Sequence, residues 1–150
     1  MKISTKGRYA LSFMLDLLEH TGTGPVSIKD ISHRQDISEK YLEHIAGYLL
    51  RSGMIQSVRG SGGGYLLRKS GDDCTVGEIL RVMEGDLAIA PCMEENGSEC
   101  RRKDKCKNVI LWQKIDMAVH SVIDNITLSD MSKWDAEKVS AHIDTSTKLD

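Results

Sequence analysis

Residues 27–69 read SIKDISHRQDISEKYLEHIAGYLLRSGMIQSVRGSGGGYLLRK. Ser27 stands three residues before Asp30, a capping-box spacing, and Ile28 and Ile31 mark one buried face. A short helix ending near Gln35 is expected. Ser38 can cap a second helix, with Glu39 in its first turn. Tyr41, Leu42, Ile45 and Leu49 form the buried stripe of that helix until Gly53 stops it, so it should run over about residues 38–52. Two short runs follow, Ile55 to Arg59 in alternation and then Tyr65-Leu66-Leu67, separated by the flexible turn GSGGG. They predict a β-hairpin.

Upstream, Tyr9-Ala10, Phe13-Met14 and Leu17-Leu18 recur every three or four residues, which predicts an amphipathic helix over about residues 5–20. Helix, short helix, helix and hairpin in that order make the winged helix-turn-helix pattern. Downstream, Thr75 and Glu78 form another possible capping box ahead of Val76, Ile79, Leu80 and Met83, predicting a fourth helix that ends at Gly85. Residues 86–106 are loop-like. From Lys107 a long helix begins, in which Leu111, Ile115, Ala118, Val122 and Ile126 are spaced 4, 3, 4 and 4. Such a narrow apolar seam, far from the first core, needs a partner, and the simplest one is the same helix of a second copy. The expected architecture is mainly α with a small β-hairpin wing. A winged helix-turn-helix domain spans residues 1–85 and a loop 86–106; a dimerisation helix and following short helix span 107–131; and 132–150 form a flexible tail.

Composition narrows the function. Of 150 residues, 40% are apolar and only 5% aromatic, so the core must be mostly aliphatic. No apolar run reaches the roughly 18 residues that a membrane span requires, so no membrane partner is expected. The N-terminus is basic and then apolar, but Asp16 and Glu19 interrupt it and no small-residue cleavage site follows. It reads as an amphipathic helix and not a signal peptide, which places the protein in the cytoplasm. The net charge of −2 hides an asymmetry: residues 1–70 carry ten Lys/Arg against six Asp/Glu, and residues 71–150 carry ten against sixteen. A basic front half suggests a polyanion partner.

A helix-turn-helix lays its second helix in the major groove, with residues near its start on base edges. Ser38 and Lys40 can reach phosphates, and Lys40 and His44 can donate to guanine acceptors. Tyr41, in the first turn of the same helix, is a further DNA-binding candidate, and Glu39 and Tyr48 are expected on its exposed face. Glu43 repels phosphates but can accept from cytosine N4, which suits selectivity more than strength. The hairpin tip holds Arg59, Ser61 and glycines that include Gly62; the glycines let backbone approach closely, and Arg59 can enter a minor groove or meet phosphate. GSGGG is not a nucleotide loop: the Lys-Ser/Thr pair is missing and a strand follows instead of a helix. No enzyme is indicated. His20, His33, His44, His120 and His142 fall in separate elements, and no nucleophile has a base at motif spacing.

Cys92, Cys100 and Cys106 lie in one polar stretch, PCMEENGSECRRKDKC, spaced C-x7-C-x5-C. In a reducing compartment clustered cysteines are more often metal ligands than disulfides. Zinc sites use pairs roughly two to four residues apart, a pattern absent here. Wider gaps suit an iron–sulfur cluster, and Arg101, Arg102, Lys103, Lys105 and Lys107 would offset the charge of thiolate ligands. A zinc site, a regulatory disulfide or unrelated thiols stay open on spacing alone. A fourth ligand must come from elsewhere: Cys74, His33, Asp104 and Asn108 are candidates, while His120 lies too far along.

MKISTKGRYAL, ISEKYLEHI, VRGSGGGYLL, the cysteine stretch, and CKNVILW through DNITLSDM together resemble the Rrf-two family of bacterial winged-helix regulators, over about residues 1–131. Within it the chain is most similar to the iron–sulfur cluster regulator (IscR) branch. The resemblance implies a homodimer on a double-stranded DNA operator, a 2Fe-2S cluster on Cys92, Cys100 and Cys106, and repression of cluster-biogenesis genes. Two departures stand out. The first cysteine gap is two residues longer than that branch's five, and Val109 occupies the position of its histidine ligand. The fourth ligand is thus unknown and a 4Fe-4S cluster is possible. A nitric-oxide- or thiol-redox-sensing repressor, or a cysteine-metabolism regulator, is the alternative within the family. A winged helix that docks a protein is the alternative outside it.

Overall fold

The structure, a computed structural model, describes residues 2–94, 100 and 102–134. Helix α1 (Thr5–His20) starts at Ser4, whose hydroxyl accepts from the Gly7 N–H at 3.2 Å. Ser4 is in turn held by Glu84, which accepts from its backbone N–H (3.2 Å) and its hydroxyl (2.6 Å). Ala10, Phe13, Met14 and Leu17 of α1 are buried at the centre of the main core.

Helix α2 (Ile28–Gln35) is capped by the Ser27 hydroxyl, which accepts from the Asp30 N–H and donates to the Asp30 carboxylate. It ends at Asp36, whose φ of 52° is left-handed, a conformation that aspartate tolerates better than most residues. The Ser32 hydroxyl donates to the Ile37 carbonyl at 2.6 Å and tightens that turn. Helix α3 (Glu39–Arg51) then starts at the expected cap, Ser38, and buries Leu42, Ile45, Ala46 and Leu49.

Asp16 does more than interrupt the apolar face of α1. It is 1% exposed and accepts from Arg34 Nε (3.0 Å), Arg34 Nη2 (2.7 Å) and Gln35 Nε2 (3.0 Å). This carboxylate clamps the end of α2 onto α1 and so fixes the platform from which α3 projects. Burial pushes its pKa upward, but the bonds from Arg34 and Gln35 and the charge of Arg34 outweigh that, and the net shift is downward.

Strands β1 (Ile55–Val58) and β2 (Gly64–Leu67) pair antiparallel, Ile55 opposite Leu67 and Val58 opposite Gly64. A third piece joins them. Val26 bridges Tyr65 through two backbone bonds of 3.0 and 2.8 Å, so the wing is stitched to the segment entering α2. Gly64 is required there, because a Cβ would run into the Val26 carbonyl.

Helix α4 (Val76–Glu84) begins with the expected reciprocal capping box of Thr75 and Glu78 and ends at Gly85. After it, helix α5 (Asn108–Ile123) and the short helix α6 (Leu128–Ser132) complete the described chain. Two expectations about this region are corrected. Helix α5 stops at Ile123, so Ile126 is not part of a helical seam. Its carbonyl accepts from the Val76 N–H at 2.9 Å and its side chain packs against Val76, Leu80 and Leu87. The short helix α6, grouped by sequence with the dimerisation helix, instead inserts Leu128 at 0% exposure into the main core. A bridge between Thr75 and Thr127 and the bond from Leu128 N–H to the Cys74 carbonyl (2.9 Å) secure this return. Residues 135–150 of the expected tail, with His142, and Arg101 of the basic cluster lie outside the described residues.

Candidate nucleic-acid interface and cysteine segment

Helix α3 turns its apolar stripe inward, which forces the opposite face to solvent. Ser38, Lys40, Glu43 and His44 are all exposed, as are Arg59, Ser61 and Gly62 at the wing tip. Gly60 and Gly62 take φ values of 101° and 79°, left-handed backbone that makes the tip a glycine turn, closed by the Gly63 N–H on the Gly60 carbonyl at 3.0 Å. Among the described residues neither Lys40 nor Glu43 has an ion-pair partner. Tyr41 differs from its neighbours: it is half-buried, edge-on to Tyr9 with ring centroids 5.5 Å apart. Its ring serves the packing of α3 on α1.

The face extends further than the expected contacts, and Tyr48, expected to be exposed on it, is half-buried. Tyr48 lies edge-on to His44 at 5.0 Å, and its ring carries two cations, Lys6 Nζ at 4.9 Å and Arg51 at 4.8 Å. Lys6 and Arg51 were not among the sequence candidates. Arg51 follows at helical spacing and could have been added, whereas Lys6 comes from α1 and only the fold brings it there.

The three cysteines of the polar stretch are free thiols, with Cys92 and Cys106 half-exposed and Cys100 exposed. Cys92 sits in a tight turn, Pro91–Met93, that packs against α5. The segment entering that turn is tied to α5 by the Ile89 N–H on Asp116 at 3.4 Å. Cys106 lies directly before α5, and its carbonyl accepts from the Val109 N–H at 3.2 Å. Lys107, the cap residue, supplies no side-chain bond to the first turn of α5. The donor chemistry suits an iron–sulfur cluster: soft, accessible thiols beside a positive helix end and lysines. Among the described residues no three His, Cys, Asp or Glu side chains converge as a metal site.

The candidates for a fourth ligand are dispersed. Cys74 is 2% exposed in the main core, and burial pushes its thiol up to about 11. His33, Asp104 and Asn108 are exposed on separate elements. His120 is engaged elsewhere, with Nδ1 2.7 Å from Arg81 Nη2. Arg81 also makes a two-pronged pair with Asp124 at 2.6 and 2.9 Å, which holds the Asp124 pKa down and pins α5 to α4.

No residue of α5 is buried. Leu111 (51%), Ile115 (38%), Ala118 and Val122 (54%) line one exposed face, as the spacing predicts. Ile110 and Met117 expose a second apolar face, 60% and 71%, that the seam did not include. Among the described residues no helix is long and apolar enough to cross a membrane.

The model of the Rrf2 family, described as an iron-dependent transcriptional regulator, matches residues 3–133. The HTH-type transcriptional regulator IscR of Erwinia tasmaniensis is 37% identical over 131 residues, covering 87% of this chain and 78% of that protein. IscR of Klebsiella pneumoniae (strain 342) is 39% identical, covering 87% and 79%. Among solved structures, CymR, the global cysteine regulator of B. subtilis, superposes with a TM-score of 0.75 at 38% identity, covering 90% of this chain and 98% of that one. T. potens IscR superposes with a TM-score of 0.71 at 40% identity, covering 89% and 87%.

Proposed function

The chain belongs to the Rrf2 family of winged-helix transcriptional regulators, not to an enzyme family, and from that premise we propose that it is a cytoplasmic, homodimeric repressor that senses iron–sulfur clusters and controls their biogenesis genes. The observation that carries this reading is the attachment of the cysteine segment to α5 at both ends: Cys92 in a turn packed on the helix, Cys106 at its start. The thiols of Cys92, Cys100 and Cys106 are the groups that would hold a 2Fe-2S or 4Fe-4S cluster. When bound, a cluster supplies a negatively charged, redox-active cross-link between these thiolates.

The chain's own contacts supply the route from there to DNA. Arg81 ties α5 to α4 through Asp124 and His120. Glu84 of α4 holds the start of α1 through Ser4. Asp16 of α1 grips Arg34 and Gln35 at the end of α2, one turn before α3. A shift of α5 therefore reaches the recognition helix through polar contacts between packed elements. In a dimer joined along Leu111, Ile115, Ala118 and Val122, the same shift changes the spacing of two recognition helices and with it the fit to paired half-sites. Ser38, Lys40, His44, Arg59, Ser61 and Gly62 bind the duplex, and Glu43 selects against sequences that offer it no donor.

The likeness to CymR favours one second reading, a regulator of cysteine metabolism. Protein purified without oxygen separates the two. Iron and acid-labile sulfide in equal amounts, lost in Cys92→Ala, are expected of the cluster sensor. Colourless protein that contains neither would refute it.

A further inference from the structure

Gly47 sits in the interior of α3, where glycine is less favourable than alanine. Nothing in the fold requires it. Its φ is not left-handed, and a Cβ there would meet only Arg51 Nη1, at an ordinary 3.4 Å. Gly7 and Gly64 differ, because a Cβ on either would collide with Glu84 or Val26. Gly47, itself half-buried, shares the stripe of the exposed Lys40, His44 and Arg51, which with it are spaced 4, 3 and 4 along the helix. Beside this bare patch Lys6 and Arg51 both approach the Tyr48 ring, at 4.9 and 4.8 Å. Among the described residues neither cation has a carboxylate partner. Two unpaired like charges around one ring, next to a helix surface without a side chain, form a concentrated positive patch.

The geometry points to a DNA phosphate seated at Gly47, held by Arg51 and Lys6, with Tyr48 positioning both cations. This rests on the DNA-binding reading and extends it: α3 meets the duplex along its whole length, not only at its first turns. Helix dimensions agree. Lys40 and Arg51 stand about 16 Å apart along the axis, at roughly 1.5 Å per residue. The major groove is only about 12 Å wide. With the start of α3 on base edges, its end must reach a sugar–phosphate strand. A side chain at position 47 would hold that strand away, and its absence lets the backbone close on the helix.

The test uses the full chain and a duplex that the native protein selects from a random-sequence pool. Gly47→Gln is expected to raise Tm, because a helix former replaces glycine, and yet to weaken binding about tenfold or more on selected and random duplexes alike. Arg51→Ala and Lys6→Ala should each lower the slope of log affinity against log salt by about one. Glu43→Ala is the contrast: it should change preference among sequences and leave the salt slope alone. Gly47→Gln binding like native, or unchanged slopes in both cation variants, would overturn the phosphate seat while leaving DNA binding intact. Native protein that retains no duplex would overturn the DNA-binding reading, and the seat with it.

Discussion

Val122→Glu is expected to yield a well-folded monomer whose affinity for a two-half-site duplex falls about 100-fold or more, since tethering two binding modules contributes roughly 10²–10⁴ in avidity. Val122 is 54% exposed in the single chain, so the substitution creates neither a cavity nor a clash within it. In a dimer the same position would be covered. A carboxylate there loses its water without gaining a partner, a desolvation far larger than the dispersion contacts it replaces. Sedimentation velocity reads the association, and a melting curve checks that the fold persists. A dimer that survives Val122→Glu would place the interface elsewhere, and the exposed pair Ile110 and Met117 marks where to look.

Asp16→Ala is expected to lower stability by about 2–3 kcal/mol. Breaking a fully buried ion pair costs about 3–5 kcal/mol, and the figure is reduced here because Arg34 is 33% exposed and can turn to water. For a chain of this size that is a fall in Tm of roughly 5–10 °C. DNA affinity should fall as well, since α2 loses its hold on α1 and α3 follows α2. The pH dependence has a definite sign. The folded-state pKa of Asp16 lies below its ordinary value of 3.8, so the ionised carboxylate stabilises the fold above that value and the contribution disappears as pH falls through the lower one. The difference in Tm between native protein and Asp16→Asn should therefore be full near neutral pH and shrink below about pH 4. A constant difference over that range would mean that packing, not charge, makes Asp16 important.

Local signals were legible in the sequence wherever one side chain decides a backbone choice. Ser27, Ser38 and Thr75 mark helix starts, Gly53 and Gly85 mark ends, and the spacing of Leu42, Ile45 and Leu49 shows which face of α3 turns inward. Contacts between distant residues were not legible. Asp16 looks like a flaw in an apolar face until Arg34 and Gln35 arrive from the next helix. Val26 pairs with Tyr65 as a single-residue strand, too short for any periodicity. Ile126 fits the heptad arithmetic of α5, but Asp124 already caps that helix, and the chain beyond it turns back to pair with Thr75. The proposed binding face was half legible: its first turns follow from the helix-turn-helix pattern, whereas the Lys6 and Arg51 pairing on Tyr48 depends on how α1 crosses α3. The cysteines announce themselves by number and spacing, but the polar stretch that holds them carries no periodic signal from which their relative positions could be read.

The measurement closest to the central claim is the affinity of oxygen-protected protein for its selected duplex, before and after its iron is removed by chelation. A change of about tenfold, within the roughly 5–150-fold usual for coupled sites, is predicted in native protein and should be absent in Cys92→Ala. Identical affinity with and without iron, on every duplex tried, would contradict a cysteine segment that governs DNA binding.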